Sequence, residues 1–210
     1  MYKRLQTFKG LGNESCFLWG PRQTGKSTLL STLFPNSIYY DLLLASDFER
    51  LLRHPSLLRE ELLIKNPVGR PIIVDEVQKI PQLLDEIQWL SVNKGYQFIL
   101  CGSSARKLKR GSGNLLGGRA FRYELFPLTS AEIDDFDLPR ALNRGLLPRH
   151  YLGDNHRLML QSYVGEYLKE EIEAEALVRK MPSFSRFLDA AAFSNGEVVS
   201  PGSEVTYLIT

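Results

Sequence analysis

Cysteine, long apolar runs and an excess of charge of either sign are all scarce in this sequence. Two cysteines in 210 residues exclude a disulfide framework and a cysteine-rich metal site, and both lie in apolar segments that we predict as buried strands. No apolar segment approaches the roughly 20 residues that span a bilayer. The first ten residues, MYKRLQTFKG, lack the apolar core of a signal peptide. We therefore expect a cytoplasmic protein without a membrane partner.

The net charge is too small for bulk electrostatics alone to predict nucleic acid or an anionic membrane as a partner. The formal charge is +2, from 26 basic and 24 acidic side chains, so any site for nucleic acid must be a local one. The hydrophobic fraction of 43% is ordinary for a globular protein and argues against disorder. The length suits one sizeable domain, or one domain with a small appendage.

Apolar segments of strand length alternate with segments of helical period, which predicts an α/β fold with three layers and a five-stranded, mostly parallel sheet. The predicted strands are residues 15–19, 37–43, 72–74, 97–101 and 121–126. We predict helices over residues 26–34, from a cap at Ser46 to 54, over 55–65, and from Pro81 to the residue before Gly95. The pattern from residue 155 to about 180 is helical and charged. We therefore predict a core over 1–153 and a helical appendage over 154–210.

Residues 20–27 read GPRQTGKS, which matches the phosphate-binding pattern G-x-x-x-x-G-K-[ST] between a predicted strand and a predicted helix. Glycines let successive amide groups point at phosphate oxygens, and the helix N-terminus adds partial positive charge. We predict that Lys26 contacts the β- and γ-phosphates, that Ser27 is a Mg²⁺ ligand and that Thr28 holds the α-phosphate. The alternative is a glycine turn that caps an ordinary helix. The predicted nucleotide-binding residues are Gly20, Pro21, Arg22, Gln23, Thr24, Gly25, Lys26, Ser27 and Thr28.

The segment PIIVDE, residues 71–76, carries an apolar strand into two carboxylates, as in a Walker B motif. The carboxyl end of a parallel strand is where ligands bind in open α/β folds. We predict that Asp75 holds Mg²⁺ through water and that Glu76 polarises the water that attacks the γ-phosphate. A solvated strand end explains such a pair when it stands alone. Together with the phosphate-binding loop of residues 20–27, the P-loop, this acidic pair predicts nucleotide hydrolysis.

Ser103 and Arg119 are further candidates for the catalytic site. Ser103 follows the fourth predicted strand, where a hydroxyl can bond the γ-phosphate or the attacking water; Ser104 is the second choice, and a serine turn is the alternative. Arg119 follows a glycine-rich segment and is predicted to complete a triphosphate site in the same or a neighbouring subunit. The alternative for Arg119 is a surface position in a solvated loop.

Three other sequence features bear on which nucleotide the chain binds and on whether it contacts nucleic acid. Residues 93–96 read NKGY and lack the aspartate of the guanine-reading N-K-x-D motif, so ATP is the expected nucleotide. Residues 111–118 lack the third glycine of a dinucleotide fingerprint. A basic cluster either contacts nucleic-acid phosphates or lies in a solvated loop. Its members are Arg106, Lys107, Lys109 and Arg110.

Seven segments, in order, resemble a known family. They are GPRQTGKST, PIIVDEVQKIP, ILCGSSARKL, LLGGRAFRYELFPLTSAEI, RALNRGLLPRHYL, YVGEYLKEEI and FSRFLDAAAFSNGE. The sequence is similar to the prokaryotic AAA+-like P-loop ATPases that carry a C-terminal winged helix and a nuclease-like domain of unknown function. The resemblance implies a five-stranded core, an acidic strand that does not adjoin the P-loop strand, and Glu76 as catalytic base. It implies no particular substrate.

The end of the chain departs from that family. Family members run on well beyond this length, whereas this sequence stops after SPGSEVTYLIT, which resembles no expected continuation. We therefore expect a truncated or frame-shifted gene product in which residues 184–192 only begin the winged helix.

The leading functional prediction is a Mg²⁺-dependent ATPase that couples hydrolysis to a conformational change. One alternative is a nucleotide-gated module with negligible hydrolysis that engages DNA or protein through the C-terminal region. Another is a small-molecule phosphotransferase, because a P-loop does not specify the acceptor. A homo-oligomer is left open, since an arginine donated within a chain and one donated between chains look alike in sequence.

Overall fold

The structure, a computed structural model, describes residues 3–103, 116–167 and 181–193. The chain divides into two compact units, Met1–His156 and Arg157–Thr210. The first unit is built on a five-stranded sheet. Its strands are β1 (Ser15–Trp19), β2 (Ile38–Asp41), β3 (Ile72–Asp75), β4 (Phe98–Gly102) and β5 (Ala120–Glu124). The helices between them are α1 (Lys26–Leu33), α2 (Ala45–Arg53), α3 (Ser56–Lys65) and α4 (Leu83–Lys94).

The strands follow the spatial order β2-β3-β4-β1-β5, and each neighbouring pair is parallel. The predicted five-stranded α/β fold is confirmed, and β4 separates the acidic strand β3 from β1. Parallel strands all end on the same side of a sheet. We call that side the carboxyl edge and the opposite side, where the strands begin, the amino edge.

Both faces of the sheet are covered, which explains why the central strands are mostly apolar. All residues of β1, β3 and β4 are buried, as expected for parallel strands between helical layers. The cluster on one face joins Phe17, Tyr40 and Val74 to leucines of α2, α3 and α4. The cluster on the other face joins Leu18 and Ile73 to α1 and to the segment before β1. The predicted inward residues of α4 are all buried: Leu83, Leu84, Ile87 and Leu90.

Several predicted boundaries differ from the structure; β5, for example, ends at Glu124 instead of residue 126. β2 ends at Asp41 instead of residue 43, because the Asp41 carboxylate accepts a hydrogen bond from the Leu43 amide at 2.8 Å and turns the chain. Ser46 does not cap α2, since that helix begins at Ala45 and no side chain bonds its first amides.

Beyond β5, the first unit continues through two short helices, Leu138–Arg144 and Pro148–Leu152. A small cluster of Leu128, Ile133 and Tyr151 forms their core. In the second unit the structure describes helical segments that include Met181–Phe193, so residues 184–192 lie within one helix. Among the described residues, no helix combines the length and the apolar character needed to cross a bilayer.

Candidate functional site

The segment between β1 and α1 forms a loop of amide groups at the carboxyl edge. Gln23 (φ 65°) and Gly25 (φ 89°) both adopt left-handed backbone conformations, which curl the chain around a centre. Among the described residues, no acceptor is found for the amides of Gln23, Gly25 and Ser27. Unpaired amides at the start of a helix bind anions, because the N–H groups and the helix dipole act in the same direction. The loop therefore has the chemistry of a phosphate site.

Gly20 is required by a close approach of two backbone segments. A Cβ atom on Gly20 would lie 2.2 Å from the carbonyl oxygen of Leu125. The chain after β5 is fixed there, since the Leu125 amide donates to the Trp19 carbonyl at 2.7 Å. The first glycine of the P-loop thus sets how tightly the loop packs against the end of β5.

Lys26 lies across the loop. It is 6% exposed, and its Nζ donates to the carbonyl oxygens of Gly20 at 2.7 Å and Pro21 at 3.0 Å. Thr24, which is fully buried, donates from its hydroxyl to the same Pro21 carbonyl at 2.9 Å. These bonds hold a buried cation beside the unpaired amides, so the loop side of the cleft carries positive charge.

Asp75, the last residue of β3, collects four hydrogen bonds on its carboxylate. Oδ2 accepts from the Ser27 hydroxyl and from the Tyr39 hydroxyl, each at 2.6 Å. Oδ1 accepts from the Glu76 amide at 2.9 Å and from the Cys101 thiol. The loop and the acidic strand are therefore joined directly, and Asp75 is only 3% exposed.

The donors on Asp75 keep their protons. Burial, followed by the hydrogen bond and the charge of Asp75, raises the pKa of Tyr39. Burial, followed by the charge of Asp75, raises the pKa of Cys101. Both side chains therefore donate to the carboxylate at neutral pH.

Ser27 and Asp75 fit a magnesium ion by the type of their donor atoms. A serine hydroxyl has one proton and two lone pairs. Because the proton is directed at Asp75, the lone pairs stay available to a cation. Hydroxyl and carboxylate oxygens suit Mg²⁺, which usually takes its other ligands from phosphates and water. Among the described residues no group of three or more His, Cys, Asp or Glu side chains forms a metal site, so a dedicated protein cage is absent from that part of the chain.

Glu76 follows Asp75 in a strained backbone conformation. Its φ of 56° lies in the left-handed region, which costs a non-glycine residue about 1 kcal/mol or more. Its carboxylate accepts a hydrogen bond from Gln78 Nε2, and the same Nε2 lies 3.4 Å from the Ser103 hydroxyl. Gln78 thus bridges the acidic strand and the residue after β4. Gly102 makes room for this bridge, since a Cβ there would meet Gln78 Oε1 at 2.0 Å.

A cleft of about 330 Å³ unites the predicted residues. Its lining consists of Arg22, Gln23, Gly25, Lys26, Ser27, Thr28, Leu43 and Glu76. Asp75 reaches the cleft through Ser27, and Ser103 reaches it through Gln78 and Glu76. The structure therefore brings the loop, both carboxylates and the predicted sensor serine to one place.

Arg119 does not join this cleft within its own chain. It precedes β5, whose first residue, Ala120, pairs with Ser15 at the start of β1. Arg119 therefore lies at the amino edge, roughly 16 Å from the carboxyl edge for a five-residue strand. The interpretation that it completes the site in the same subunit is not supported by this placement. Ser104 and the basic cluster of residues 106–110 lie outside the described residues.

Four residues of the site had no place in the sequence interpretation: Arg4, Tyr39, Gln78 and Cys101. Arg4 binds Glu132 at 3.1 Å and the P-loop carbonyl of Thr24 at 3.0 Å, and so ties the N-terminal segment to the loop. Gln78 lies only two positions after Glu76, so its closeness in sequence was a usable signal. Tyr39 and Cys101 carried none without the strand order.

Comparisons with known proteins agree with this geometry. A family model described as an AAA domain matches residues 12–134, more than half of the chain. The fold is similar to AMPPCP-bound DnaA from Aquifex aeolicus, at 18% identity and a TM-score of 0.51 over 93% of this chain and 70% of that one. It is likewise similar to replication initiator DnaA bound to AMPPCP and single-stranded DNA, at 16% identity, a TM-score of 0.51 and the same coverage. At these identities the likeness concerns the fold. No curated protein matches the chain.

Proposed function

Because the chain belongs to the AAA-domain family, we propose that it binds ATP with Mg²⁺ and hydrolyses it, and that hydrolysis drives a conformational change. The observation that carries the proposal is the 2.6 Å hydrogen bond from the Ser27 hydroxyl to Asp75. This bond joins Ser27 to Asp75 next to a loop of unpaired amides and a buried lysine, which supports the proposal that both oxygens serve a metal ion. A polyphosphate with a divalent cation matches that set of charges.

In the proposed complex, the amides of the loop hold the phosphates and Lys26 neutralises the β- and γ-oxygens. Lys26 then exchanges its bonds to the carbonyls of Gly20 and Pro21 for bonds to phosphate. Ser27 and Asp75 would hold Mg²⁺, which supplies Lewis-acid stabilisation of the developing charge. Thr28, one residue further along α1, is proposed to contact the α-phosphate.

We assign proton removal from the attacking water to Glu76. Its carboxylate lines the same cleft as Lys26 and Ser27, and Gln78 holds one of its oxygens. Ser103 is proposed to bond the γ-phosphate or the water, because it shares Gln78 with Glu76. Any contribution of Arg119 is proposed to come from a neighbouring subunit, since in its own chain it lies at the other edge of the sheet.

Replacement of Glu76 by Gln tests the catalytic proposal. The amide keeps the size of the side chain but cannot accept a proton, so we expect ATP binding within about twofold of wild type and turnover lower by about 10²–10⁴-fold. Binding is measured by calorimetry with Mg²⁺ and ATP, and turnover by phosphate release. The matched control is Glu60→Gln, an exposed glutamate of α3, which should match wild type in both assays. Unchanged turnover in Glu76→Gln would remove Glu76 from its role.

The same assay addresses the partner. One structure that shares the fold is bound to single-stranded DNA, and we propose DNA as a partner on that likeness. Phosphate release is therefore measured with and without a single-stranded oligonucleotide. If the oligonucleotide raises turnover, the DNA proposal is supported. If turnover is the same with and without the oligonucleotide, the DNA proposal is opposed.

A further inference from the structure

Two adjacent tyrosines on β2 make opposite use of their hydroxyl groups. Successive side chains of a strand point to opposite faces, and Tyr39 packs with the cluster on the α1 face while Tyr40 packs with the cluster under α2, α3 and α4. The Tyr39 hydroxyl donates to Asp75 Oδ2 at 2.6 Å. The Tyr40 hydroxyl donates to Glu61 Oε2 at 3.2 Å. Only Tyr39 therefore contacts the proposed metal end of the nucleotide site.

The register of the sheet explains why Tyr39 reaches Asp75. In the β2–β3 pair, Tyr39 lies opposite Ile73, and Asp75 comes two residues later on the same face of the sheet. Tyr39 packs against the hydrophobic cluster that contains Ile73, and its hydroxyl reaches the Asp75 carboxylate. The ring is thus anchored by packing, and the hydroxyl has a fixed position.

The proton arrangement at Asp75 has a definite direction. An ionised carboxylate only accepts hydrogen bonds, so both Ser27 and Tyr39 donate to Oδ2. Tyr39 therefore fixes the orientation of the same oxygen that receives the proton of Ser27. If that oxygen turned away, the Ser27 hydroxyl would lose its acceptor and could direct its proton toward an incoming cation.

We propose that Tyr39 is a positioning residue for magnesium: it holds Asp75 so that the proton of Ser27 stays on the carboxylate and the lone pairs of Ser27 face the metal. This inference rests on the proposed function. Groups that orient metal ligands typically change metal affinity by about 10–100-fold when they are removed. Tyr39 acts through Asp75, so its loss should weaken the metal-dependent part of nucleotide binding and spare the metal-free part.

The test compares Tyr39→Phe with Tyr40→Phe, which remove one hydroxyl each from neighbouring positions of the same strand. Binding of a fluorescent, non-hydrolysable ATP analogue is measured in EDTA and then during a titration with MgCl₂. We expect both variants to bind within about twofold of wild type in EDTA. The MgCl₂ midpoint should rise about tenfold for Tyr39→Phe and stay at the wild-type value for Tyr40→Phe.

A purely structural role for Tyr39 gives a different pattern. It would lower the melting temperature and the affinity in EDTA together and leave the MgCl₂ midpoint unchanged, which would overturn the inference. An equal shift in both tyrosine variants would overturn it as well. Tyr39→Met, which also lacks the donor but fills the apolar space with a flexible chain, is a second variant and must show the same shift in the midpoint.

The failure of this inference is distinguishable from failure of the proposed function. If wild type binds the analogue neither in EDTA nor with MgCl₂, the nucleotide proposal itself is wrong. If wild type binds it and MgCl₂ strengthens binding, but Tyr39→Phe has the wild-type midpoint, only the role of Tyr39 is wrong.

Discussion

At the carboxyl edge of the sheet, Lys26, Asp75 and Glu76 are each less than a tenth exposed and are held by hydrogen bonds. At the amino edge, the charged groups Lys94 and Arg119 are exposed. The cleft at the amino edge is nevertheless the larger one, about 400 Å³ against about 330 Å³ at the carboxyl edge. Cavity size therefore does not single out the site of chemistry.

Burial of charge distinguishes the two edges better. A buried ion loses several kcal/mol of hydration, which only partners or a ligand of opposite charge restore. Lys26 recovers part of this through two carbonyl oxygens, and Asp75 through four donors. The amino edge keeps its charges in water and avoids that cost. The difference indicates that the carboxyl edge is organised in advance for a charged ligand.

The strongest test of the difference between the two edges is to add one methyl group at each of them. Gly20→Ala places Cβ 2.2 Å from the Leu125 carbonyl oxygen, whereas Cβ at Gly95 meets nothing within 4 Å. We expect Gly20→Ala to lower the free energy of unfolding by about 3 kcal/mol or more, because backbone must move. Gly95→Ala should cost about 1 kcal/mol, from its φ of 66° alone. Urea unfolding measures both, and equal losses would contradict the close approach at Gly20.

The parts of the site that can be predicted from the sequence are those formed by residues that are consecutive in the chain. Residues 20–27 and 71–76 each contain a strand end and the groups that follow it, so local pattern was enough to place them. The predicted bounds of β1, residues 15–19, agree with the structure because an apolar run ends there at the first glycine of the P-loop. The roles of these residues in binding and catalysis stay predictions.

The remaining parts depend on which strands are neighbours. Tyr39 and Cys101 meet Asp75 because β2 and β4 flank β3, and nothing in the local sequence of either strand shows that pairing. The glycine-rich segment before Arg119 does not show at which edge of the sheet this residue lies. Because Arg119 immediately precedes a strand that is parallel to β1, it lies at the amino edge, away from the cleft.

A comparison of two lysines gives the next largest effect. Lys26→Ala removes the buried cation of the carboxyl edge, and Lys94→Ala removes an exposed cation at the end of α4. A charged hydrogen bond contributes up to about 3 kcal/mol, so Lys26→Ala should weaken nucleotide binding by about 100-fold. Lys94→Ala should leave affinity unchanged. Calorimetry with Mg²⁺ and ATP decides, and comparable affinities for both variants would mean that the loop does not bind the phosphates.

The smallest effect is expected from the two cysteines, which are both fully buried. The Cys101 thiol donates to Asp75, and a serine hydroxyl at that position keeps the bond. The Cys16 thiol has no hydrogen-bond partner among the described residues, so the hydroxyl of Cys16→Ser would be buried without one. We expect Cys16→Ser to lower the free energy of unfolding by about 1–2 kcal/mol at pH 7, and Cys101→Ser by less.

The difference in the free energy of unfolding between wild type and Cys16→Ser should disappear as pH rises. This pH dependence distinguishes the burial of the thiol from other causes of the difference. Burial raises the pKa of Cys16 to about 12, whereas a thiol in the unfolded chain ionises near 8.5. A raised folded-state pKa contributes stability that is complete below about pH 8.5 and is lost as pH rises toward 12. Wild type should therefore lose about 1.4 kcal/mol per pH unit from this group above pH 8.5, and Cys16→Ser should not. A deficit that stays constant between pH 7 and pH 10 in urea unfolding would show that Cys16 is not a buried thiol held neutral at the amino half of β1.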